Sequence, residues 1–581
     1  MDSPSPPAAY PMDLPLKAGL ARLTHGISPA ALALSFHDWS VHLLASPGKQ
    51  TELAHSAQEK ALQWLLGMQG LLLPGHAEHE AQALLDDKRF AREPWQVPPY
   101  GALARAFLLT QQWWEEATTG VPGVSVHHAQ VAAFLARQVL DMFSPSNFIA
   151  TNPEVLSTTL CSGGANLLQG AANWSRDALR VAANRPPSGA EDFEPGKAVA
   201  LTPGKVVWRN RLIELIQYAP ATPKVHREPV LMVPSWIMKY YILDLSPGNS
   251  MVRYLVEQGH TVFMVSWKNP TREDRHLGME DYLQLGVLEA LEIIGRAQPG
   301  RKVHLAGYCL GGTLAAIAAA ALAREAHSPL KSLTLLAAQT DFEEPGELGL
   351  FIDESQIAFL EEIMAEQGFL DGRQMAGAFA LINSKDLVWS KLVREYLMGN
   401  QTVLDDLHAW NADATRMPAR MHGEYLRRLY LGNDLAEGRY EVGGRPVALE
   451  DVRLPMFVLG TERDHVSPWT SVYRIHRLTG SEIMFVLTTG GHNVGIVNPP
   501  RADTAARISH RAALRRAGAP HQGADRWALD ATVHAGSWWP TWHAWLAAHS
   551  APLQAPLPLG GRGRHALESL GDAPGSYVHA S

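Results

Sequence analysis

Three side chains of this 581-residue chain have the types and the order that covalent catalysis by a thiol requires: Cys309, then Asp464, then His492. Cys309 lies in Gly307-Tyr308-Cys309-Leu310-Gly311, the G-x-S-x-G pattern with a thiol where the hydroxyl would be. In that pattern the nucleophile occupies a strained turn from strand to helix, and small residues on either side let neighbouring backbone come close. Taken singly, G-x-C-x-G also occurs in ordinary buried turns, Asp464 reads as a turn residue, and His492 as a surface or capped histidine. Each nevertheless follows a predicted strand, and nucleophile, acid, histidine is the order that a sheet with a nucleophile elbow imposes. Together the three predict a catalytic triad.

A thiol suits acyl groups that arrive as thioesters. Exchange between two thioesters is nearly isoenergetic, so the acyl group stays activated after loading, whereas a serine would hold it as a more stable ester. His492 would take the Cys309 proton, and Asp464 would orient the ring and offset its charge. The backbone N–H of Leu310, with a second from the Ser235-Trp236-Ile237 loop, would receive the developing oxyanion.

These residues need a scaffold, and the pattern from about 203 onward supplies one. Short apolar runs at 229–234, 261–265, 303–306, 330–336, 454–459 and 483–487 alternate with helical stretches such as 249–258, 279–294, 313–322 and 471–478. That alternation predicts an α/β unit with a parallel sheet covered on both faces and its functional loops at the carboxyl ends of the strands. Between 341 and about 453 the alternation stops, and some 110 residues of helical segments joined by polar loops interrupt it. So large an insertion predicts a cap domain over the active edge, where exclusion of water protects a reactive intermediate. Residues 1–200 read as a mainly helical N-terminal domain, with Asn152 and Pro153 capping and opening one helix. Residues 201–581 read as the catalytic domain. The segment 505–517 reads as a basic helix, and the Gly/Pro-rich tail from Pro556 as poorly ordered.

Composition narrows the function further. The net charge of −8 and pI of 6.3 offer no basic excess for a nucleic-acid partner. Cys161 and Cys309, the two cysteines, cannot build a disulfide framework, which fits a reducing cytoplasmic setting, with Cys161 expected to be a small buried residue. No secretory signal, transmembrane run or metal-ligand spacing is visible; His127 and His128 read as solvated surface. Seventeen tryptophans, among them Trp113, Trp114, Trp538, Trp539, Trp542 and Trp545, fit either core packing or an apolar surface for a lipid-like or polymeric partner.

Several separated stretches carry a family resemblance. They are 144–148 (SPSNF) with Thr151-Asn152-Pro153, 236–245 (WIMKYYILDL), the box 307–312, 410–418 (WNADATRMP), Asp464-His465, Gly491-His492 with Asn498-Pro499-Pro500, and 535–540 (AGSWWP). From about Arg89 onward the chain resembles the polyhydroxyalkanoate synthases, most nearly the long single-subunit class I type. The resemblance implies an α/β-hydrolase fold with an inserted cap. It also implies that short-chain (R)-3-hydroxyacyl-CoA is polymerised to a polyester with release of CoA. Cys309 would carry the chain, His492 would activate it, and Asp464 would help to activate the attacking 3-hydroxyl. Leu310, Ile237, Trp236 and His465 fall on the oxyanion and substrate side. No cofactor or metal is implied. Cytoplasmic granules of the product and a second copy of the chain are the partners implied. Ser235 and Met238 stand where the family usually has Pro and Asn. A Cys-His-Asp ester or thioester hydrolase is the alternative reading, distinguished by product.

Overall fold

The computed structural model describes residues 16, 19–21, 24, 26–70, 86–382, 384–501, 507–563 and 566–580. The chain forms two compact units: Ala21–Ser188 with Ala376–Val403, and Gly189–Met375 with Leu404–Ser581 and Met1–Leu20.

The first unit is helical. Its main helices are α1 (Pro29–Leu44), α2 (Pro47–Gly70), α3 (Tyr100–Thr118), α4 (Val126–Met142), α5 (Pro153–Cys161) and α6 (Ala165–Ala182). Side-chain oxygens of Ser28, Ser125 and Asn152 cap α1, α4 and α5, and Asn152 accepts from both Glu154 N and Val155 N as its position before Pro153 predicts. A buried carboxylate, Asp141, is neutralised by Arg89 at 2.7 Å and also accepts from Gln111. Residues of 376–403 complete this unit against α6: Asn166 donates to Leu397 O, and Asn173 to Glu395 O and Asn400 O. The fit is close enough that a Cβ on Gly170 would fall 1.8 Å from Tyr396 O. Cys161 is exposed at the last position of α5, not buried, because a helix end leaves its outward face without a covering element. His128 is also more than solvated surface, since its Nδ1 meets Asp38 Oδ2 at 2.7 Å.

The second unit holds one sheet of eleven strands. In chain order these are β1 (Gly204–Arg209), β2 (Ile213–Tyr218), β3 (Val230–Val233), β4 (Val262–Trp267), β5 (Val303–Tyr308), β6 (Leu330–Leu336), β7 (Met456–Thr461), β8 (Ile483–Thr488), β9 (Ser509–Arg515), β10 (Thr532–Ala535) and β11 (Gly571–Asp572). They lie side by side as β10-β9-β8-β7-β6-β5-β3-β4-β2-β1-β11. The six central strands, β8 to β4 in that order, run parallel and are buried on both faces, which is why their sequences are nearly continuous apolar runs. The outer strands are antiparallel. Helix α7 (Leu310–Ala323) follows β5; its alanines let it lie close against the sheet, and residues Leu310–Ala321 are all buried. Helices α8 (Glu354–Gln367) and α9 (Ala419–Tyr425) belong to the insertion and are joined by Arg427, which forks onto Glu361 at 2.8 and 2.9 Å. Helix α10 (Trp539–Ala548) covers the sheet with Trp539, Trp542 and Trp545, and Trp538 precedes it; all four are buried, which decides for core packing at these positions.

Two further expectations fail. The segment 505–517 is not a helix: residues 509–515 form β9, paired antiparallel with β8, while 502–506 lie outside the described residues. Its Ala, Leu and Arg residues favour a helix locally, but the open edge of β8 offers a complete hydrogen-bond ladder that overrides that preference. The tail is not loose either. β11 pairs with β1, and Glu214 on β2 accepts from Ser576 N, Ser576 Oγ and Tyr577 N.

Burial leaves three histidines of this unit neutral, with ring pKa values pushed down to about 3 at His304 and about 4 at His422 and His476. A histidine protonated only in the unfolded chain withdraws stability as pH falls from about 6.5 towards its folded value, by about 1.4 kcal/mol per pH unit. Tryptophan-detected urea unfolding should therefore show stability falling between pH 6.5 and 4.5. His304→Asn, at a site where Nδ1 and Nε2 meet only Ser332 and Ser550 hydroxyls, should lessen that slope by about one proton.

Candidate active site

The site begins where β5 ends. Cys309 has φ 51° and ψ −125°, a left-handed region that a side chain other than glycine enters at a cost, and α7 starts at the next residue. The strain is enforced by close packing: a Cβ on Gly311 would fall 2.1 Å from Val233 O, one on Gly307 2.4 Å from Gly312 Cα, and one on Gly312 2.4 Å from the Ala338 Cβ. The elbow is tied to the sheet by Cys309 N donating to Leu336 O at 2.9 Å, and to the helix by Gly312 N and Thr313 N donating to Cys309 O. The thiol is buried, with 8% of the residue exposed.

Asp464 and His492 reach the same place from the ends of β7 and β8. His492 Nδ1 lies 2.8 Å from Asp464 Oδ2, which leaves Nε2 as the ring nitrogen available to Cys309, whose charge acts on the ring. Asp464 is held by four donors in all: Thr461 Oγ1 with His492 on Oδ2, and Val466 N with Ser467 N on Oδ1. Burial would raise its carboxyl, but the charge and hydrogen bond of His492, with those of Ser467 and Thr461, hold it below the usual carboxylate range. Burial would likewise keep His492 neutral, yet Asp464 and Cys309 together raise it well above the usual imidazole value. An imidazolium is thus stabilised at the point where one must form when Cys309 loses its proton. Tyr308 steadies the loop, its hydroxyl donating to Asn493 Oδ1 at 2.6 Å and its ring lying 5.6 Å from that of His492.

Leu310 is buried as the first residue of α7, so its N–H has no partner within the helix. Trp236 and Ile237 are fixed by the insertion: Thr415 Oγ1 donates to Trp236 O, and Thr415 N to Ile237 O at 3.1 Å. Trp236 is buried and edges onto Tyr425. His465 differs from these, for its side chain is exposed and only its carbonyl is engaged, by Glu347 N.

Sequence reasoning missed two tyrosines. Tyr425 is buried and Tyr430 partly buried, and both are close enough to Cys309 for a thiolate there to oppose their ionisation; burial first raises both phenols, followed at Tyr425 by Tyr430 and then Cys309, and at Tyr430 by Cys309. Five residues apart, they would diverge on an α-helix. Leu426–Leu431 is a π-helical turn, with Gly432 N donating to Arg427 O, and the wider turn brings the two rings to 5.4 Å. Beneath them His422 Nδ1 and Trp236 Nε1 are buried without a hydrogen-bond partner. Among the described residues no group of three or more His, Cys, Asp or Glu could hold a metal, and no helix is long and apolar enough to cross a membrane.

Sheet, elbow and acid-histidine pair define an α/β hydrolase fold, and the family described by that name matches residues 228–499. Two narrower families match as well: "Poly-beta-hydroxybutyrate polymerase (PhaC) N-terminus" over residues 86–255 and "Poly-beta-hydroxybutyrate polymerase N terminal" over 7–49. The chain is 41% identical to the poly(3-hydroxyalkanoate) polymerase of Methylorubrum extorquens, over 91% of this chain and 86% of that one. It is 38% identical to the poly(3-hydroxyalkanoate) polymerase subunit PhaC of Rhizobium etli, over 89% and 79%, and 38% identical to that of Cupriavidus necator, over 86% and 84%. The chain belongs to the poly(3-hydroxyalkanoate) polymerase family.

Replacing Asp464 by Asn keeps the shape but removes the charge that supports His492. Turnover should fall by about 10³-fold or more, with little change in thermal midpoint relative to Gly311→Ala. The latter should destabilise the sheet unit by about 2 kcal/mol or more by forcing β3 away from α7. Steady-state kinetics and thermal unfolding of the two variants check both outcomes.

Proposed function

We propose that the protein is an acyltransferase that polymerises (R)-3-hydroxyacyl-CoA, short-chain substrates such as 3-hydroxybutyryl-CoA included, into polyhydroxyalkanoate. The observation that carries this reading is the thiol elbow backed by a hydrogen-bonded His492–Asp464 pair, in a chain of the polymerase family. In the loading step His492 Nε2 takes the Cys309 proton and the sulfur attacks the thioester carbonyl. The N–H groups of Leu310 and Ile237 receive the oxyanion, and CoA leaves as a thiol with the proton returned by His492. In the elongation step a 3-hydroxyl attacks the acyl-cysteine and gives its proton to His492. An ester bond forms and the Cys309 thiol is released. Water in place of that hydroxyl would make the enzyme a thioesterase. The tyrosine pair supports elongation, since its rings lie within electrostatic reach of Cys309 and could orient an attacking hydroxyl.

The same reading places the protein at the surface of cytoplasmic granules of its product. Exposed Leu168, Trp174, Leu179 and Val181 on α6 support an apolar partner for the helical unit, whether polyester or a second copy.

With purified protein and (R)-3-hydroxybutyryl-CoA, CoA release should accompany insoluble polyester and little free acid, and Cys309→Ala should abolish both. Free 3-hydroxybutyrate in step with CoA would return the protein to the hydrolases. Tyr425→Phe should lower kcat by about tenfold without raising the share of free acid above half. For the helical unit, Leu168→Glu with Trp174→Glu should leave turnover of soluble substrate unchanged and reduce co-sedimentation with preformed polymer; unaltered co-sedimentation would remove α6 from the interface.

A further inference from the structure

The catalytic unit contains a buried cation that the triad does not use. Lys239, 5% exposed, lies two residues after Ile237, and its Nζ donates to two backbone carbonyls far along the chain, Val578 O at 2.7 Å and Ala580 O at 2.5 Å. Its nearest carboxylate, Asp413, has Oδ1 3.9 Å away, and the other oxygen of that group accepts from Tyr241 Oη at 2.9 Å. The two carbonyls therefore satisfy most of what a desolvated ammonium needs. Asn269 Nδ2 also donates to Ala580 O.

The segment that offers these carbonyls is itself firmly seated. Glu214, fully buried on β2, accepts from Ser576 N, Ser576 Oγ and Tyr577 N; Tyr577 Oη donates to Asn210 O; and Val578 is in the core. On the loop side, residues 410–415 tie down the backbone around Lys239. Trp410 Nε1 donates to Lys239 O at 2.7 Å, Met238 pairs antiparallel with Ala414, and Thr415 holds the carbonyls of Trp236 and Ile237. The loop is thus held by its carbonyls through 410–415 and by its charged side chain through 576–580.

We infer that residues 576–580 are a clasp that positions the Ile237 N–H for catalysis through Lys239. If the clasp is removed, the buried ammonium loses its acceptors and must turn towards water, carrying with it a backbone only two residues from the oxyanion donor. A donor displaced by an ångström loses most of its effect on a developing charge. Lys239 and the tail are positioning groups, and the inference rests on acyl transfer at Cys309.

The test compares the full chain with a chain ending at Gly575, with Lys239→Met, and with the two changes combined. CoA release from (R)-3-hydroxybutyryl-CoA, thermal unfolding and the rate of Cys309 alkylation by iodoacetamide are measured for each. Methionine fills the lysine's space without the charge, so that variant folds without the carbonyls. The expected result is a fall in kcat of about tenfold or more in each single variant, with KM within about twofold and alkylation unchanged, since alkylation passes through no oxyanion. Because tail and lysine act as one device, the combined variant should be no slower than the slower single one. A folded Lys239→Met enzyme with unchanged kcat overturns the inference, whether or not the shortened chain folds, and so do losses that multiply in the combined variant. Full CoA release by Cys309→Ala would instead overturn the acyl-transfer reading beneath it.

Discussion

The site depends on one steric constraint: the first turn of α7 approaches the end of β3 so closely that Gly311 has no room for a side chain against Val233 O. Because strand, elbow and helix are packed that tightly, Cys309 has no relaxed backbone conformation available, and its positive φ follows from the packing around it. The same approach sets the first turn of α7 against Pro234, which leads into the 235–237 loop. The strain at Cys309 and the placing of its thiol are thus two results of a single contact, and the parallel strands buried on both faces make that contact rigid.

Around this point the electrostatics are arranged against burial. A carboxylate and an imidazolium would both be unstable alone in such a place; side by side, with Asp464 receiving two backbone N–H groups and a hydroxyl, each becomes the condition for the other. From the insertion, the phenols of Tyr425 and Tyr430 come within electrostatic reach of the sulfur. A neutral polar cover costs less to desolvate than a charged one and does not compete with His492 for the proton.

How much of this was legible in the sequence varied with the kind of physics involved. The parallel strands were readable because burial on both faces writes itself as continuous apolar runs, and the placing of Cys309, Asp464 and His492 because they follow three of those strands in a fixed order. β9 was not readable, since Ala and Arg at 511–515 favour a helix and only the neighbouring edge makes them a strand. The tyrosine pair was hidden for a geometric reason: a spacing of five matches no α-helical face, and nothing local announces a π turn. His465 was grouped with the substrate side by its neighbour Asp464, yet consecutive residues in a loop can point in opposite directions, and its side chain is exposed. The tail's order rests on Glu214 and Lys239, hundreds of residues earlier, a dependence that no window of sequence contains.

The membership of 376–403 in the helical unit bears on how the protein is made. A ribosome delivers α1 to α6 long before residues 395–400 exist, and until then Asn166 and Asn173 on α6 lack the carbonyls of Glu395, Leu397 and Asn400 that satisfy them. The unit that starts first cannot be finished first. Most of the central sheet, β1 to β6, emerges in the interval, so the nascent chain carries an incomplete helical body while the strained turn at Cys309 is already being built.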